Sequence, residues 1–193
     1  TYLRNIRKNI EIFREENVPI QAEMSVLQQQ YGVISGKMTV TVKGEEFTLQ
    51  QAAKFLEDHD RNLREEVYRK INERRLQDKN ELNNLFNTLI EKRDKIGKNA
   101  GFADFRDYKF KELGRFDYAK EDCFQFHEAT KQHVIPLVDM IYENKKKKLG
   151  LETLRPWDLE AEPKGTTQLH PFKNGEDLLD KTVKCFGQLH PFF

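Results

Sequence analysis

Cysteine is scarce in this chain, which has only Cys123 and Cys185 among its 193 residues. Both fall within helical patterns and cannot make the disulfide framework of a small secreted protein, so we expect a reducing, cytoplasmic compartment. The sequence also lacks a secretory signal peptide. It has no apolar run as long as the roughly 18 residues that a membrane-spanning helix needs. We therefore predict a chain that does not span a membrane.

An excess of one sign of charge is also missing. The 33 Lys and Arg residues nearly balance the 32 Asp and Glu residues, which gives a formal net charge of +1 at pH 7. This balance gives no reason to expect nucleic acid or an anionic membrane as a partner. Hydrophobic residues make up 37% of the chain. Charged residues make up 34%, against about 25% in typical domains. Thin helices with solvated faces, or one lobe of a larger protein, would produce this composition.

The common catalytic motifs are absent as well. There is no G-x-S-x-G turn, no glycine-rich phosphate loop and no H-E-x-x-H zinc signature. The one His-Glu pair is His127-Glu128, but Lys131 stands where the second histidine is required. His133 comes later and lies about 120° round the helix from His127. Cys123 shares a face with His127, but two ligands do not make a closed zinc site. We predict no catalytic and no metal-binding residues in this sequence.

The patterns that are present are mainly helical. Apolar residues recur at helical spacing through most of the chain, with charged residues on the other faces. One stretch alternates like a β-hairpin instead, from Met38 to Val42 and, after a turn, from Glu46 to Leu49. Thr48 is the predicted N-cap of the next helix, and Gln51 would complete a capping box. The predicted fold is mainly α, a multi-helical array of long antiparallel helices with one small β-hairpin at about 37–49.

Two of the predicted helices need a specific expectation, one about its continuity and the other about its buried face. Asp60 caps the longest periodic segment, which ends near Gly97. Its middle, residues 72–81, is almost wholly polar, so it forms either one rod with a solvated centre or two helices with a break near Asp78. We favour the single rod. A last helix, at about 176–189, is expected to bury four apolar side chains, Leu178, Leu179, Val183 and Phe186.

The stretch from Phe116 to Leu159 is the best defined segment. Asp117 is the predicted N-cap of a long helix, and the lysines at 145–148 lie where the negative end of the helix dipole favours cations. Gly150 suits the left-handed position after the helix end. Pro136 should kink the helix, because it lacks the backbone N–H that a helix needs there. Six residues form the predicted inward stripe, namely Cys123, Phe126, Val134, Leu137, Val138 and Ile141.

Several short motifs follow one another in this half of the chain: Ala100-Gly101-Phe102, Phe105-Arg106-Asp107-Tyr108, Phe126-His127-Glu128-Ala129, Val134-Ile135-Pro136-Leu137, Leu149-Gly150 and Leu154-Arg155-Pro156-Trp157-Asp158-Leu159. In this order they resemble the oligoendopeptidase F family of zinc metallopeptidases. The series is specific, although no single motif is. The resemblance implies a helical peptidase that encloses short peptides between lobes. Its zinc would be held by two histidines and a glutamate further along the chain.

On this resemblance the segment is one lobe of a larger helical peptidase, a fragment of a zinc-dependent oligoendopeptidase that hydrolyses short peptides. Residues 1–99 would hold the N-terminal helices with the β-hairpin and a long helix. Residues 100–193 would begin the peptidase domain, truncated before the zinc motif. The family's zinc ligands and catalytic glutamate have no matching positions here, so zinc belongs to the parent enzyme and this segment alone should be inactive. The expected partners are peptide substrates and the missing catalytic part of the same chain.

Arg155, Trp157 and Asp158 are the candidate substrate-binding residues. In the structural interpretation the indole fills the core, while the two charged side chains face more polar surroundings. In the functional interpretation the turn borders a substrate channel, because aromatic residues with a polar group serve as anchors. The alternative for the whole chain is a non-catalytic helical module that binds partner helices. An H-E-x-x-H motif further along the parent chain would discriminate between the two.

Overall fold

The computed structural model describes residues 2–163, 165 and 171–189. It divides into two compact units, Thr1–Ala161 and Glu162–Phe193. The described elements confirm the predicted fold, which is mainly α with one two-stranded antiparallel sheet. None of the described helices is long and apolar enough to cross a membrane. The main elements are α1 (Tyr2–Ile12), α2 (Asn17–Gly36), β1 (Thr39–Val42), β2 (Glu45–Thr48), α3 (Leu49–Ala53), α4 (Arg61–Gln77), α5 (Lys79–Asn99), α6 (Phe105–Glu112), α7 (Lys120–Ala129), α8 (Ile135–Lys148) and α9 (Gly175–Leu189).

The hairpin forms where its alternation predicts it. Lys43 and Gly44 connect β1 to β2 with φ values of 52° and 87°, and positive φ at both central residues is what a two-residue type I′ turn requires. The capping box at the start of α3 is also confirmed. The Gln51 N–H donates to the Thr48 hydroxyl at 3.3 Å, and the Thr48 N–H donates to the Gln51 side chain at 3.0 Å. The hairpin therefore leads directly into a helix whose first turn is already satisfied.

Two buried clusters hold the first unit together. One lies among α1, α2, α5 and α6 and contains Ile12, Ile20, Met24, Leu85, Leu89, Ile96, Ala100 and Tyr108. The other lies among the hairpin, α3 and α4 and contains Met38, Val40, Val42, Leu49, Ala52, Leu63, Val67 and Ile71. The α4 residues of the second cluster recur every four positions, so they occupy one face of that helix. Its other faces are left for the polar contacts of the candidate site.

The prediction of a single rod from Asp60 onwards is wrong. The chain forms two helices, α4 and α5, with a break at Asp78, where φ is −95° and ψ is 11°. The Leu82 N–H donates to the Asp78 carbonyl at 3.0 Å and so begins the second helix. Leu76, the one apolar residue of the polar stretch, is 63% exposed. Because no apolar stripe is buried through this stretch, packing does not hold the two helices in line.

The start of the long helix also differs from the prediction, because Asp117 does not cap it. Helix α7 begins at Lys120, and the Asp122 carboxylate accepts a hydrogen bond from the Ala119 N–H at 2.7 Å. Asp117 instead forms an exposed ion pair with Arg4 of α1, at 3.2 Å. The helix end is as predicted, with lysines in the last turn of α8 and a following glycine, residue 150, at φ 66°.

Pro136 disrupts the long helix in a specific way. A π-helical segment, Thr130–Val134, separates α7 from α8, and Pro136 lies in the first turn of α8. Proline cannot donate a backbone hydrogen bond, and π-helical turns are a known response where the regular ladder is interrupted. The long helix is therefore interrupted by a widened turn just before the proline, while the kink at Pro136 stays a prediction.

Several apolar stripes are not buried within this chain, and here the expected inward packing is wrong. The exposed side chains of the predicted long-helix stripe are Phe126, Val134, Leu137 and Ile141. In the second unit, the four apolar side chains of α9 that were expected to be buried, Leu178, Leu179, Val183 and Phe186, are exposed. Helical periodicity shows which face of a helix is apolar, but it does not show that the same chain supplies the covering surface.

Candidate functional site

The candidate site is a short 3-10 turn, Pro156–Asp158, that follows α8. Arg155 before it is extended, with φ −111° and ψ 162°, as the residue before a proline prefers. The Asp158 carboxylate accepts a hydrogen bond from the Arg155 N–H at 2.9 Å, which closes the turn on itself. The local sequence therefore sets the shape of the turn that carries the side chains of Arg155, Trp157 and Asp158.

Asp158 is held by two arginines of α4. Its side chain is 0% exposed. Arg61 donates to both carboxylate oxygens, from Nε to Oδ1 at 3.0 Å and from Nη2 to Oδ2 at 2.9 Å. Arg64 donates from Nη2 to Oδ1 at 2.8 Å. These hydrogen bonds join charged groups, and the two from Arg61 form a bidentate fork. Charge-assisted bonds of this kind are the strongest side-chain hydrogen bonds. We call Asp158, Arg61 and Arg64 the aspartate cluster.

The aspartate cluster holds its carboxylate ionised. Burial alone would raise the pKa of Asp158, but the hydrogen bonds from Arg61 and Arg64 and from the Arg155 N–H outweigh it and lower the pKa from 3.8 to about 2. The hydrogen bond to Asp158 raises the pKa of Arg61 in turn. A carboxylate with this pKa is a poor general acid or base near neutral pH, so the chemistry of the cluster is attachment and not proton transfer.

The arginines also bind the backbone on either side of the turn. Arg64, which is 3% exposed, donates to the carbonyls of Trp157 at 3.0 Å and Asp58 at 2.8 Å. Arg61 donates to the Thr153 carbonyl at 3.2 Å. Each of the three guanidinium nitrogens of Arg64 thus donates a hydrogen bond, which offsets much of the cost of burying the charge. The turn is joined to the first two turns of α4 through side-chain bonds.

Trp157 is half-buried, not a fully buried core residue as expected. Its ring lies 5.7 Å from the ring of Tyr68, and the guanidinium of Arg69 lies 5.3 Å from its centre, within the range of a cation–π contact. Its Nε1–H is shielded from solvent, yet within the described part of the chain it has no hydrogen-bond partner. The structural interpretation expected the indole in the core and Asp158 in more polar surroundings. In the structure Asp158 is instead more buried than Trp157.

The three predicted site residues thus have different surroundings. Arg155 is exposed, Trp157 is half-buried and Asp158 is fully buried. The residues that sequence reasoning missed are on α4, namely Arg61, Arg64, Tyr68 and Arg69. Arg61, Arg64 and Tyr68 follow one another at spacings of three and four, and Arg69 comes directly after Tyr68. In a helix so rich in charge this pattern is typical of a solvated surface. Nothing in the local sequence distinguishes the buried Arg64 and the partly exposed Arg61 from the other arginines of the helix.

The histidine stretch does not assemble a metal site. His127 is exposed and contacts the rings of Phe124 and Phe126. Cys123 is a free thiol on the same helix. Among the residues that the structure describes, no group of three or more His, Cys, Asp or Glu side chains has the arrangement to hold a metal ion. The described residues therefore do not fit the zinc that the resemblance implies for the parent enzyme.

The sequence of the chain decides the family. The model of peptidase family M3 matches residues 54–181, which is more than half of the chain and includes α4, α5 and the whole aspartate cluster. The chain belongs to peptidase family M3. No curated protein matches it. The resemblance identified from the ordered motifs is confirmed at the level of this family.

Several solved peptidase structures share the fold. A structure assigned as an oligoendopeptidase F from Bacillus anthracis matches with a TM-score of 0.87 and 20% identity, over 97% of this chain and 34% of its own. A second structure assigned as oligoendopeptidase F, and PZ peptidase A solved with an inhibitor, both match with a TM-score of 0.90. They are 21% and 20% identical, over 97% of this chain and 33% of theirs. The chain thus spans about a third of the length of these structures.

Proposed function

We propose that this chain is part of a zinc-dependent oligoendopeptidase that hydrolyses short peptides. In this proposal the chain forms helical scaffold and part of the wall of the substrate channel. The observation that carries it is the match of residues 54–181 to peptidase family M3. We keep the division into residues 1–99 and 100–193 as the domain organisation. The free thiols of both cysteines support a cytoplasmic location.

The zinc and the catalytic residues belong to other parts of the parent chain in this proposal. The position four residues after His127 is Lys131, so this helix cannot supply the paired histidines of a zincin site. When bound in the parent, zinc would polarise the scissile carbonyl and activate water. The residues of the present chain would bind and orient the peptide and exclude water from it.

Within the turn, we assign direct peptide contact to Arg155 and the adjoining face of Trp157. Arg155 is exposed, and within the described residues its side chain makes no ion pair, so its guanidinium is free to bind a peptide carboxylate or carbonyl. Asp158 is fully buried and saturated by the aspartate cluster, so it acts by positioning the turn. The predicted trio then has two roles, with Arg155 and Trp157 at the channel and Asp158 behind them.

The exposed stripe of α7 and α8 is where we place the contact with the remainder of the parent chain. Phe126, Leu137 and Ile141 are 71%, 58% and 61% exposed, and apolar area of this kind is usually covered by another surface. The matched structures are about three times as long as this chain, which leaves ample chain to cover it. Burying these side chains would stabilise the contact at roughly 25 cal/mol per Å² of apolar area.

Cleavage of a quenched fluorescent peptide by the parent protein tests the proposal. We expect cleavage by the parent, its loss on zinc chelation, and none by the 193-residue chain alone. Arg155→Gln in the parent should raise KM with kcat nearly unchanged, because it removes binding shared by the ground and transition states. Arg7→Gln, at an exposed site on α1, is the matched control. A parent without chelator-sensitive cleavage would favour the non-catalytic interaction module, whereas an unchanged KM would refute only the role of Arg155.

A further inference from the structure

A groove between α2 and α5 lies apart from the candidate turn. It has a volume of about 420 Å³ and is open along one side. Its apolar floor comes from the buried side chains of Leu85 and Leu89, and two aromatic side chains form its rim, Phe86 at 57% and Tyr31 at 60% exposure. A concave apolar surface with aromatic edges is the usual setting for binding a large apolar side chain. The full lining is Gln28, Tyr31, Leu82, Asn83, Leu85, Phe86, Leu89 and Arg93.

One end of the groove carries an uncompensated positive charge. Arg93 lines the groove, and its guanidinium lies 6.0 Å from the ring centre of Phe105, at the outer limit of a cation–π contact. Within the described residues it makes no ion pair and no hydrogen bond. The neighbouring Lys92, by contrast, is paired with Glu23 of α2. A planar guanidinium that is half-buried and without an anion matches a carboxylate in shape as well as in charge.

The groove also offers amide groups. Gln28 on α2 and Asn83 on α5 line it from opposite helices. Neither side chain makes a hydrogen bond to another described residue, so each has a free donor and a free acceptor. Leu82 and Arg93 are eleven residues apart on α5, which places the two ends of the groove about 16 Å apart. That length suits about four or five residues of an extended peptide, whose backbone needs both donors and acceptors.

We propose that the groove binds the carboxyl-terminal end of a peptide, with the terminal carboxylate on Arg93 and a large apolar side chain between Phe86 and Tyr31. The amides of Gln28 and Asn83 bind the peptide backbone. A fatty acid would use the charge and the apolar floor but would leave these amides unmatched. This site is independent of the proposed peptidase function, because it needs neither zinc nor a catalytic residue.

Titration of the 193-residue chain with acetyl-Ala-Ala-Phe tests the site. Binding is measured by calorimetry and by backbone amide NMR. We expect the free acid to bind about tenfold more tightly than the same peptide with a terminal amide, because the amide cannot form the charged pair. Arg93→Gln should bind the acid and the amide equally, and Arg93→Lys should retain part of the difference. Phe86→Ala should weaken both peptides. Because Phe86 is exposed, this variant should fold normally.

Arg115→Gln is the matched control for the loss of one charge. The Arg115 guanidinium also lies over a phenylalanine ring, 5.1 Å from the centre of Phe110, but it does not line the groove. This variant should keep the preference for the acid. Equal binding of acid and amide by the wild type, no binding of either, or the same loss in Arg115→Gln would overturn the proposal. So would octanoate binding as tightly as the peptide acid, or loss of the site in the parent protein because another segment fills the groove.

Discussion

Replacement of Asp158 by asparagine perturbs the aspartate cluster at its centre. The substitution keeps the shape and removes the negative charge that faces Arg61 and Arg64. The Asp158 side chain is 0% exposed and that of Arg64 is 4% exposed, so this ion pair is shielded from water. Removing one partner of a buried pair typically costs about 3–5 kcal/mol, because the other charge is left uncompensated. Arg64 keeps two backbone acceptors, so we expect a loss near 3 kcal/mol at pH 7.

The pKa gives a second measure of the same interaction. Asp158 titrates at about 2 in the folded chain instead of 3.8. This difference corresponds to roughly 2–3 kcal/mol of folding stability. Because the folded-state pKa is lowered, the contribution is fully present above about pH 4 and is lost as the pH falls towards 2. The difference in stability between the wild type and Asp158→Asn should therefore shrink below about pH 4.

Urea denaturation of both proteins between pH 7 and pH 3 is the assay. The matched control is Asp117→Asn, which breaks the ion pair between Asp117 and Arg4. The two side chains of this pair are 85% and 54% exposed. Exposed pairs contribute little, so the control should lose less than about 1 kcal/mol. A loss below about 1 kcal/mol in Asp158→Asn, or a difference that does not change with pH, would refute the reasoning.

Five further substitutions test packing and helix capping by urea denaturation. Gly97→Ala should cost about 1–3 kcal/mol, because the added Cβ would lie 3.1 Å from the Phe105 Cα. Gly32→Ala should instead stabilise the protein by about 0.5–1 kcal/mol, because no atom lies within 4 Å of its added Cβ and alanine favours the helix. Trp157→Ala should cost about 2–3 kcal/mol and Trp157→Phe less than about 1 kcal/mol, since the indole N–H makes no hydrogen bond in the described part of the chain. Thr48→Ala should cost about 1 kcal/mol. Equal effects within the glycine pair or the tryptophan pair would contradict these expectations.

Much of the local structure was predictable because its causes lie within a few residues. The capping box of Thr48, the cap at Asp60 and the left-handed Gly150 are all present as predicted. Asp117 and Asp78 show the limit of this reasoning. Asp117 is a good local candidate for a cap, but it pairs with the distant Arg4 instead. At Asp78 the single rod was preferred to a break, but no buried apolar contact continues the helix there.

The candidate site was predicted only in part. The motif around Pro156 identified the turn and the restricted backbone of Arg155, which depend on the proline ring alone. The partners of Asp158 were missed, because they come from an unremarkable run of charged residues on α4. The relative burial of Trp157 and Asp158 was also inverted, since side-chain polarity predicts exposure and a guanidinium partner overrides it.

The sequence by itself determined the helices, the hairpin and most of the caps, since these need only backbone hydrogen bonds and side chains within a few positions. Only the tertiary structure decided the aspartate cluster, whose arginines lie 97 and 94 residues from Asp158 along the chain. It also decided which apolar stripes are covered and which remain exposed. A stripe records the preference of one surface for an apolar partner, whereas the identity and position of that partner depend on how distant segments pack together.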